Sequence, residues 1–381
     1  MPDAVLRLDP LRAWRFVAGK VSALGAVTSP PYDVLEPAIV RRLTDSDLHN
    51  MVRLILPRDP ELGPGRYDEP AHRLAGWQRD GVVIQDERPA LYVYEQRLGG
   101  AVLCGLIGLL RLDPTRRVVL PHENVMPHWV DDRLRLMEAT DADLEPILLA
   151  YSGGGAASDA VDAARDGEPW LEAETDHGAE HRIWRIEDPA LIAEISEELS
   201  KHEALIADGH HRYAAYLERQ LREPYRPGAA VGLAMLVDYV RHPLTLDPIH
   251  RVIPGLDLDT VRLRTPGDWQ MQPGRVEGDP NRISVTDGSS WLTLHSASDA
   301  PTVTLLHEVL LPAWGVAEDN LGFHHTLADA LALADARQVA VELTAPTMDQ
   351  VLRSAAQGVV LPQKATSFGP KPRVGLLFRM L

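Results

Sequence analysis

Apolar positions recur at helical spacing in some stretches of this chain and as alternating or continuous runs in others. Helical spacing predicts helices over Glu36 to Leu43, Pro70 to Asp80, Asp132 to Glu138, Ala157 to Ala164, Leu191 to Lys201, Arg212 to Leu221 and Met348 to Gln357. Strand-like runs cover Leu91 to Glu95, Val102 to Leu112, Val118 to Leu120, Arg182 to Ile186, Ala204 to Ala207, Gly228 to Asp238, Val303 to Leu306, Val339 to Leu343 and Val374 to Met380. The two kinds intermix without a strict βαβ alternation. The pattern therefore predicts an α+β protein with mixed sheets and packed helices, not a doubly wound α/β fold. Pro- and Gly-rich punctuation falls at Ser29-Pro30-Pro31, Pro57 to Gly65, Gly153 to Gly155 and Gly278 to Pro280. Pro254 to Asn281 has little periodicity, several Pro and Gly, and mixed charge. It is expected to join a main lobe, 1–255, to a second lobe, 256–381.

Composition narrows the classes of function. An apolar fraction of 45% over 381 residues is that of a globular protein with a large core. The net charge of −17 argues against a nucleic-acid footprint, which needs positive charge, but leaves room for a small anion in a local basic pocket. With 6% aromatics and no aromatic stripe, a platform for stacking nucleic-acid bases is not expected. The longest apolar run, Leu98 to Leu110, is 13 residues and stops at Arg111; a membrane span needs about 20. The first ten residues carry acids and no apolar signal-peptide core, so the cytoplasm is the expected location. The one cysteine, Cys104, lies in an apolar run and excludes an intrachain disulfide. Lysine is scarce: Lys20, Lys201, Lys364 and Lys371 are the only four, and two of them fall within eight residues. That pairing fits chance, or a need for a compact ammonium that the planar guanidinium of Arg cannot replace.

The densest chemistry lies at Asp208-Gly209-His210-His211-Arg212, between the strand-like Ala204 to Ala207 and the helix that follows. A strand-to-helix turn offers unpaired N–H groups and the positive end of a helix dipole, which favour an anion such as phosphate. Gly209 permits a tight turn. Asp208 reads as a base or Mg²⁺ ligand, with His210 beside it, and His211 and Arg212 as phosphate ligands. The same residues also read as a simple N-cap with partly exposed histidines, or, with His202, as a metal site. Other constellations are His122-Glu123 at a strand end, a candidate acid–base pair with His128 nearby, and Tyr32-Asp33 in a proline-stiffened loop. His250-Arg251 lies at an apolar edge, and Arg133 opens a helix. Lys364, Thr366 and Lys371 lie in a Ser/Gly-bearing loop suited to phosphate. Each also reads as an ordinary polar turn, and His324-His325 reads as incidental. Neither a Walker A pattern nor a G-x-G-x-x-G fingerprint occurs.

Taken in order, SPPYDV at Ser29 to Val34, PHE at Pro121 to Glu123, DRL at Asp132 to Leu134, PILLAY at Pro146 to Tyr151, ADGHHRYAA at Ala207 to Ala215, HRV at His250 to Val252 and LPQKATSFGPKP at Leu361 to Pro372 resemble one bacterial and archaeal family, catalogued as domain of unknown function 1015. Leu361 stands where that family commonly has Met, and Gly369 where it commonly has an aromatic residue. Asp257 to Leu306 carries no recognisable motif. The DGHHR turn looks like that of the ParB/sulfiredoxin-like fold, whose members bind nucleotides there, some of them phosphorylating free serine. The resemblance implies a ParB/sulfiredoxin-like nucleotide-binding core, with Asp208, His210, His211 and Arg212 on the nucleotide turn; Lys364 has no counterpart outside its own family. Fold alone does not establish function.

Three functions follow as expectations. The first is a phosphotransferase or nucleotide hydrolase that uses ATP or another nucleotide with Mg²⁺ and acts on a small hydroxylated metabolite such as an amino acid. Lys364 and Lys371 would neutralise charge, and Glu123 would be a second carboxylate. It requires the Asp208, Glu123 and Lys364 segments to converge. The second is a metal-dependent hydrolase built on His122, Glu123, Asp208 and His210. The third is a nucleotide-sensing module without turnover.

Overall fold

The computed structural model describes residues 4–57, 65–277 and 279–381; the punctuation predicted over 58–64 and at Gly278 lies outside the described residues. The protein is α+β, and it packs as two compact units. The first comprises Met1–Pro121, Val125–Leu244 and Pro370–Leu381; the second comprises His122–Asn124 and Thr245–Gly369. The last dozen residues thus group with the first unit and carry Lys371 with them, whereas Lys364 belongs to the second.

The first unit is built on a nine-stranded mixed sheet. Its strands are β1 (Leu8–Asp9), β2 (Leu91–Leu98), β3 (Ala101–Arg111), β4 (Val119–Leu120), β5 (Ile147–Tyr151), β6 (Leu171–Glu174), β7 (Glu180–Ile186), β8 (Ala204–Asp208) and β9 (Val231–Asp238). Their order is β4-β8-β5-β9-β3-β2-β7-β6, with β1 added beside β3. The long apolar run that is too short for a membrane span becomes the end of β2, its turn and β3. Leu103, Cys104 and Leu106 of β3 are buried among other strands and helices, as a central strand covered on both faces requires. Burial pushes the Cys104 thiol up to about 12, so it stays protonated at neutral pH. No helix among the described residues is long and apolar enough to cross a membrane.

Two helices set the positions that matter below. α1 (Pro127–Thr140) starts with proline at its first turn, where the missing N–H costs nothing, and extends well beyond the predicted Asp132 to Glu138. α2 (His210–Arg222) begins two residues earlier than its apolar spacing predicts and buries Tyr213, Ala215 and Tyr216 against the sheet. β8 runs antiparallel to β5, with an irregularity between Ile206 and Asp208 that sets Asp208 opposite Leu148. The C-terminal end of β8 therefore lies beside the chain entering β5 through Glu145 and Pro146.

The second unit holds a six-stranded sheet of β10 (His250–Pro254), β11 (Gln270–Pro273), β12 (Arg282–Thr286), β13 (Trp291–His295), β14 (Gly322–His324) and β15 (Gln338–Glu342). Their order is β11-β13-β12-β15-β10-β14, antiparallel throughout. Where sequence suggested a joint over Pro254 to Asn281, the chain forms a helix, Leu258–Arg264, and β11. The predicted strand Val303 to Leu306 is instead helical: Thr302–Leu305 leads into a π-helical turn, Leu306–Leu310, and then Leu311–Trp314, ending at Gly315 in the left-handed region. A short apolar run cannot be divided between strand and helix by period, and here the longer apolar stretch, starting after Pro301, decided for helix. The predicted strand Val374 to Met380 pairs only at Arg379–Met380 and through bridges of Val374 to Ser29 and Phe378 to Trp14. Its apolar side chains Leu376 and Phe378 are buried nonetheless.

Asp143, fully buried, accepts from Arg219 Nη1 at 2.7 Å and from Arg379 Nη1 at 2.8 Å, joining α2 to the last strand of the chain. Removing one partner of a buried ion pair leaves charge without compensation. Asp143→Ala is expected to cost about 3–5 kcal/mol in urea unfolding; a loss below about 1 kcal/mol would show that water already reaches these guanidinium groups.

Candidate functional site

The Asp208-Gly209 turn is assembled by backbone geometry first. β8 ends at Asp208, Gly209 takes φ +95° at the N-cap position, and α2 starts at His210. A side chain at Gly209 would be strained by that φ, and its Cβ would come within 2.8 Å of Ile147 Cγ2. The cap position carries glycine, which contributes no capping side chain.

Asp208 is buried, and a cation holds each of its oxygens. Lys371 Nζ lies 2.5 Å from Oδ1, and Arg212 Nη2 donates to Oδ2 at 2.5 Å. The same ammonium lies 2.6 Å from Asp33 Oδ2. Lys371 thus bridges the Ser29 to Val34 loop and the β8–α2 turn. Burial alone would weaken its hold on a proton, but Asp208 and Asp33 outweigh burial and raise its pKa. Arg212 behaves alike: Glu145, Asp208 and Asp33 raise its pKa against burial, and its Nη1 donates to Pro146 O at 2.6 Å. Arg212 Nε is buried and has no hydrogen-bond partner among the described residues.

Glu145, which the sequence reading missed, lies in the same cluster. Its Oε1 accepts from Tyr32 N at 3.1 Å. Burial raises its carboxyl above the usual range, against the attraction of Arg212 and Arg133. The only signal available was its place immediately before the Pro146 to Tyr151 segment. Arg133 stacks 4.2 Å from the Tyr32 ring centroid, pairs with Asp132 and donates to Ile55 O at 2.8 Å. His211 Nε2 accepts from Met126 N at 3.1 Å, directly before α1. That ring nitrogen is therefore an acceptor, and it ties the N-terminus of α1 beside that of α2. His202 pairs with Glu198, 3.2 Å away, at the opposite end of β8 from His210.

The remaining predicted residues gather in the second unit. His122 Nε2 meets Thr366 Oγ1 at 2.8 Å, and Glu123 Oε2 accepts from Ala365 N at 3.1 Å. Burial raises the Glu123 carboxyl, against Lys364 and the N–H groups of residues 364 to 366. Lys364 takes φ +54°, a strained backbone for a residue with a side chain. Arg251 helps hold that loop, donating from Nη2 to Lys364 O at 2.8 Å and from Nε to His307 Nε2 at 3.3 Å. His307 Nδ1 in turn meets Glu318 Oε1 at 2.7 Å. Burial pushes Arg251 down to about 9, so it stays charged at neutral pH. His250 Nδ1 accepts from Leu343 N at 3.3 Å. His325 Nδ1 lies 3.2 Å from Ser367 Oγ, at the edge of the unit.

Both oxygens of Asp208, the expected magnesium ligand, are engaged by cations, Lys371 and Arg212. Among the described residues no group of three or more His, Cys, Asp or Glu side chains could hold a metal ion. The metal-hydrolase expectation also divides between the units, with Asp208 and His210 in one and His122 and Glu123 in the other.

A mixed sheet whose strand β8, next to the edge, delivers an acid–glycine turn to a helix N-terminus, with a lysine returning from the chain's far end, defines the class. The chain belongs to the family described as "Protein of unknown function (DUF1015)", whose model matches residues 8–309. No curated protein matches it. Solved structures that it is similar to include SbnI with C-terminal truncation from Staphylococcus aureus, at 12% identity and TM-score 0.44, covering 72% of this chain and 87% of that one. A free serine kinase in complex with AMP is 16% identical, with TM-score 0.41, covering 72% and 91%. A conserved hypothetical protein from Pyrococcus furiosus is 17% identical, with TM-score 0.39, covering 71% and 95%.

Burial pushes His250 down from 6.5 to about 4. An unfolded His250 binds a proton near pH 6.5 and the folded one only near pH 4, so its contribution is whole above about 6.5 and is lost as pH falls towards 4. The loss amounts to roughly 3 kcal/mol. His250→Asn is expected to flatten the decline of the urea midpoint across that window; an unchanged slope would mean that His250 titrates as freely folded as unfolded.

Proposed function

We propose that the β8–α2 turn of the first unit binds the phosphate groups of a nucleotide, and that the protein is a phosphotransferase or nucleotide hydrolase acting on a small hydroxylated metabolite, an amino acid among the candidates. The observation that carries this is the Lys371 ammonium, set between Asp33 and Asp208 at the N-terminus of α2. In this reading the first-turn N–H groups and Lys371 receive phosphate oxygens. Asp208 orients Lys371, and Arg212, almost wholly buried, holds Asp208 in place. Transfer would form a bond between the acceptor oxygen and the terminal phosphorus, break the bridging P–O bond of the nucleotide, and pass the hydroxyl proton to a carboxylate of the Lys371 pair. The ParB/sulfiredoxin-like look of the DGHHR turn points the same way.

The full engagement of Asp208 by two cations also favours a second reading, a nucleotide-sensing module that binds without turnover.

Thermal unfolding against a panel of nucleotides tests binding, and nucleotide release with hydroxylated amino acids tests turnover. Nucleotide at ~100 times its dissociation constant should stabilise the fold by about 2.7 kcal/mol. Lys371→Met and Asp208→Asn should each remove that gain while the far-ultraviolet spectrum stays native. An undiminished gain in both variants would refute the assignment of the turn, and binding without turnover would favour the sensor.

A further inference from the structure

Trp129 is the only tryptophan among the exposed large hydrophobic side chains of the described residues, at 37% exposure. The cost of leaving an indole in water calls for a reason, and its position offers one. Trp129 lies in the first turn of α1, where its backbone N–H donates to Met126 O at 3.1 Å. Met126 is the residue whose N–H the His211 ring accepts at 3.1 Å, so the turn bearing Trp129 is tied to the first turn of α2. On its other side the indole packs 5.8 Å, centroid to centroid, from the Tyr32 ring. Tyr32 precedes Asp33, which holds Lys371, and its own N–H is bound by Glu145. Two separate connections thus place this half-exposed indole beside the proposed phosphate turn. The His128 ring lies 5.4 Å from it, centroid to centroid, tilted by 42°.

We propose that Trp129 is the base platform of that site: a nucleobase stacks on the exposed indole while the phosphates reach Lys371 and the first turn of α2. This rests on the phosphate-turn reading above and extends it from phosphate to nucleotide. Stacking on one aromatic face accepts any base, because every base has a π-face, so Trp129 supplies affinity for the base and little choice between bases. The deeply buried Arg133 already covers Tyr32, which leaves Trp129 as the ring available to a ligand.

Calorimetric titration of the full chain with ATP and with inorganic tripolyphosphate separates the two ideas. Wild type should bind ATP more tightly than tripolyphosphate. Trp129→Ala should weaken ATP by roughly ten-fold or more, the loss that removing a stacking aromatic brings, and leave tripolyphosphate unchanged. Trp129→Phe should keep most of the ATP affinity. Unchanged ATP binding in Trp129→Ala, an equal loss of both ligands, or wild type binding tripolyphosphate as tightly as ATP would each overturn the proposal while the phosphate turn stands. Wild type binding neither ligand would refute the phosphate turn and the platform with it.

Discussion

One ammonium organises the first unit's polar centre. Lys371 lies within hydrogen-bond distance of Asp33 and Asp208, so two loops far apart in sequence are drawn to a single point by a residue far from both. Arg212 continues the network to Pro146 and the field of Glu145, and Glu145 returns it to Tyr32, beside Asp33. Such a closed ring of buried charges has a large desolvation cost and is held only by good geometry. The same ring keeps cations and a helix N-terminus together, which a purely apolar core could not do. The segment carrying Lys371 is anchored at two further points: Arg373 N donates to the buried Tyr94 hydroxyl at 3.1 Å, and Val374 pairs with Ser29.

The second unit solves a different problem with the same chemistry. A loop that places Lys364 in the left-handed region must be stabilised by its neighbours. Carbonyls of that loop lie on the Arg251 guanidinium and amides on the Glu123 carboxylate, so cation and anion grip opposite polar faces of one peptide stretch. Arg251 is aligned from behind by His307, whose other nitrogen meets Glu318, within a helix widened to a π turn.

Much of this was legible from the chain and some was not, for identifiable reasons. Helices with a strong apolar stripe and a proline or glycine at an end, such as α1 and α2, were visible, with ends displaced by a few residues because cap geometry is not written in period. The Asp208 turn was visible because four polar groups crowd a place that needs one. The helix at Thr302–Leu305 was misread as strand because a run as short as Val303 to Leu306 fits either period. The small helix and strand within Pro254 to Asn281 were missed because they are short and largely exposed, so their pattern is weak. Glu145 left no mark beyond its place before the Pro146 to Tyr151 segment; its role arises from burial beside Arg212, a property of the folded chain. Lys364 and Lys371 look like partners in sequence, yet one residue past Gly369 the chain passes from one unit's packing to the other's, so each lysine belongs to a different unit.

The return of residues 370 to 381 to the first unit also dictates an order of assembly. A chain emerging from the ribosome can form most of the nine-stranded sheet from residues already made, but Asp33, Asp208 and Asp143 must wait through the whole of the second unit for Lys371 and Arg379. Until then Asp208 and Asp143 have one cation each, Arg212 and Arg219, in place of two, and contacts of long sequence separation remain to be closed. The polar centre of the first unit is thus among the last parts of the molecule to become complete, so a nascent chain holds the scaffold of the turn well before it holds the charge that the turn is built around.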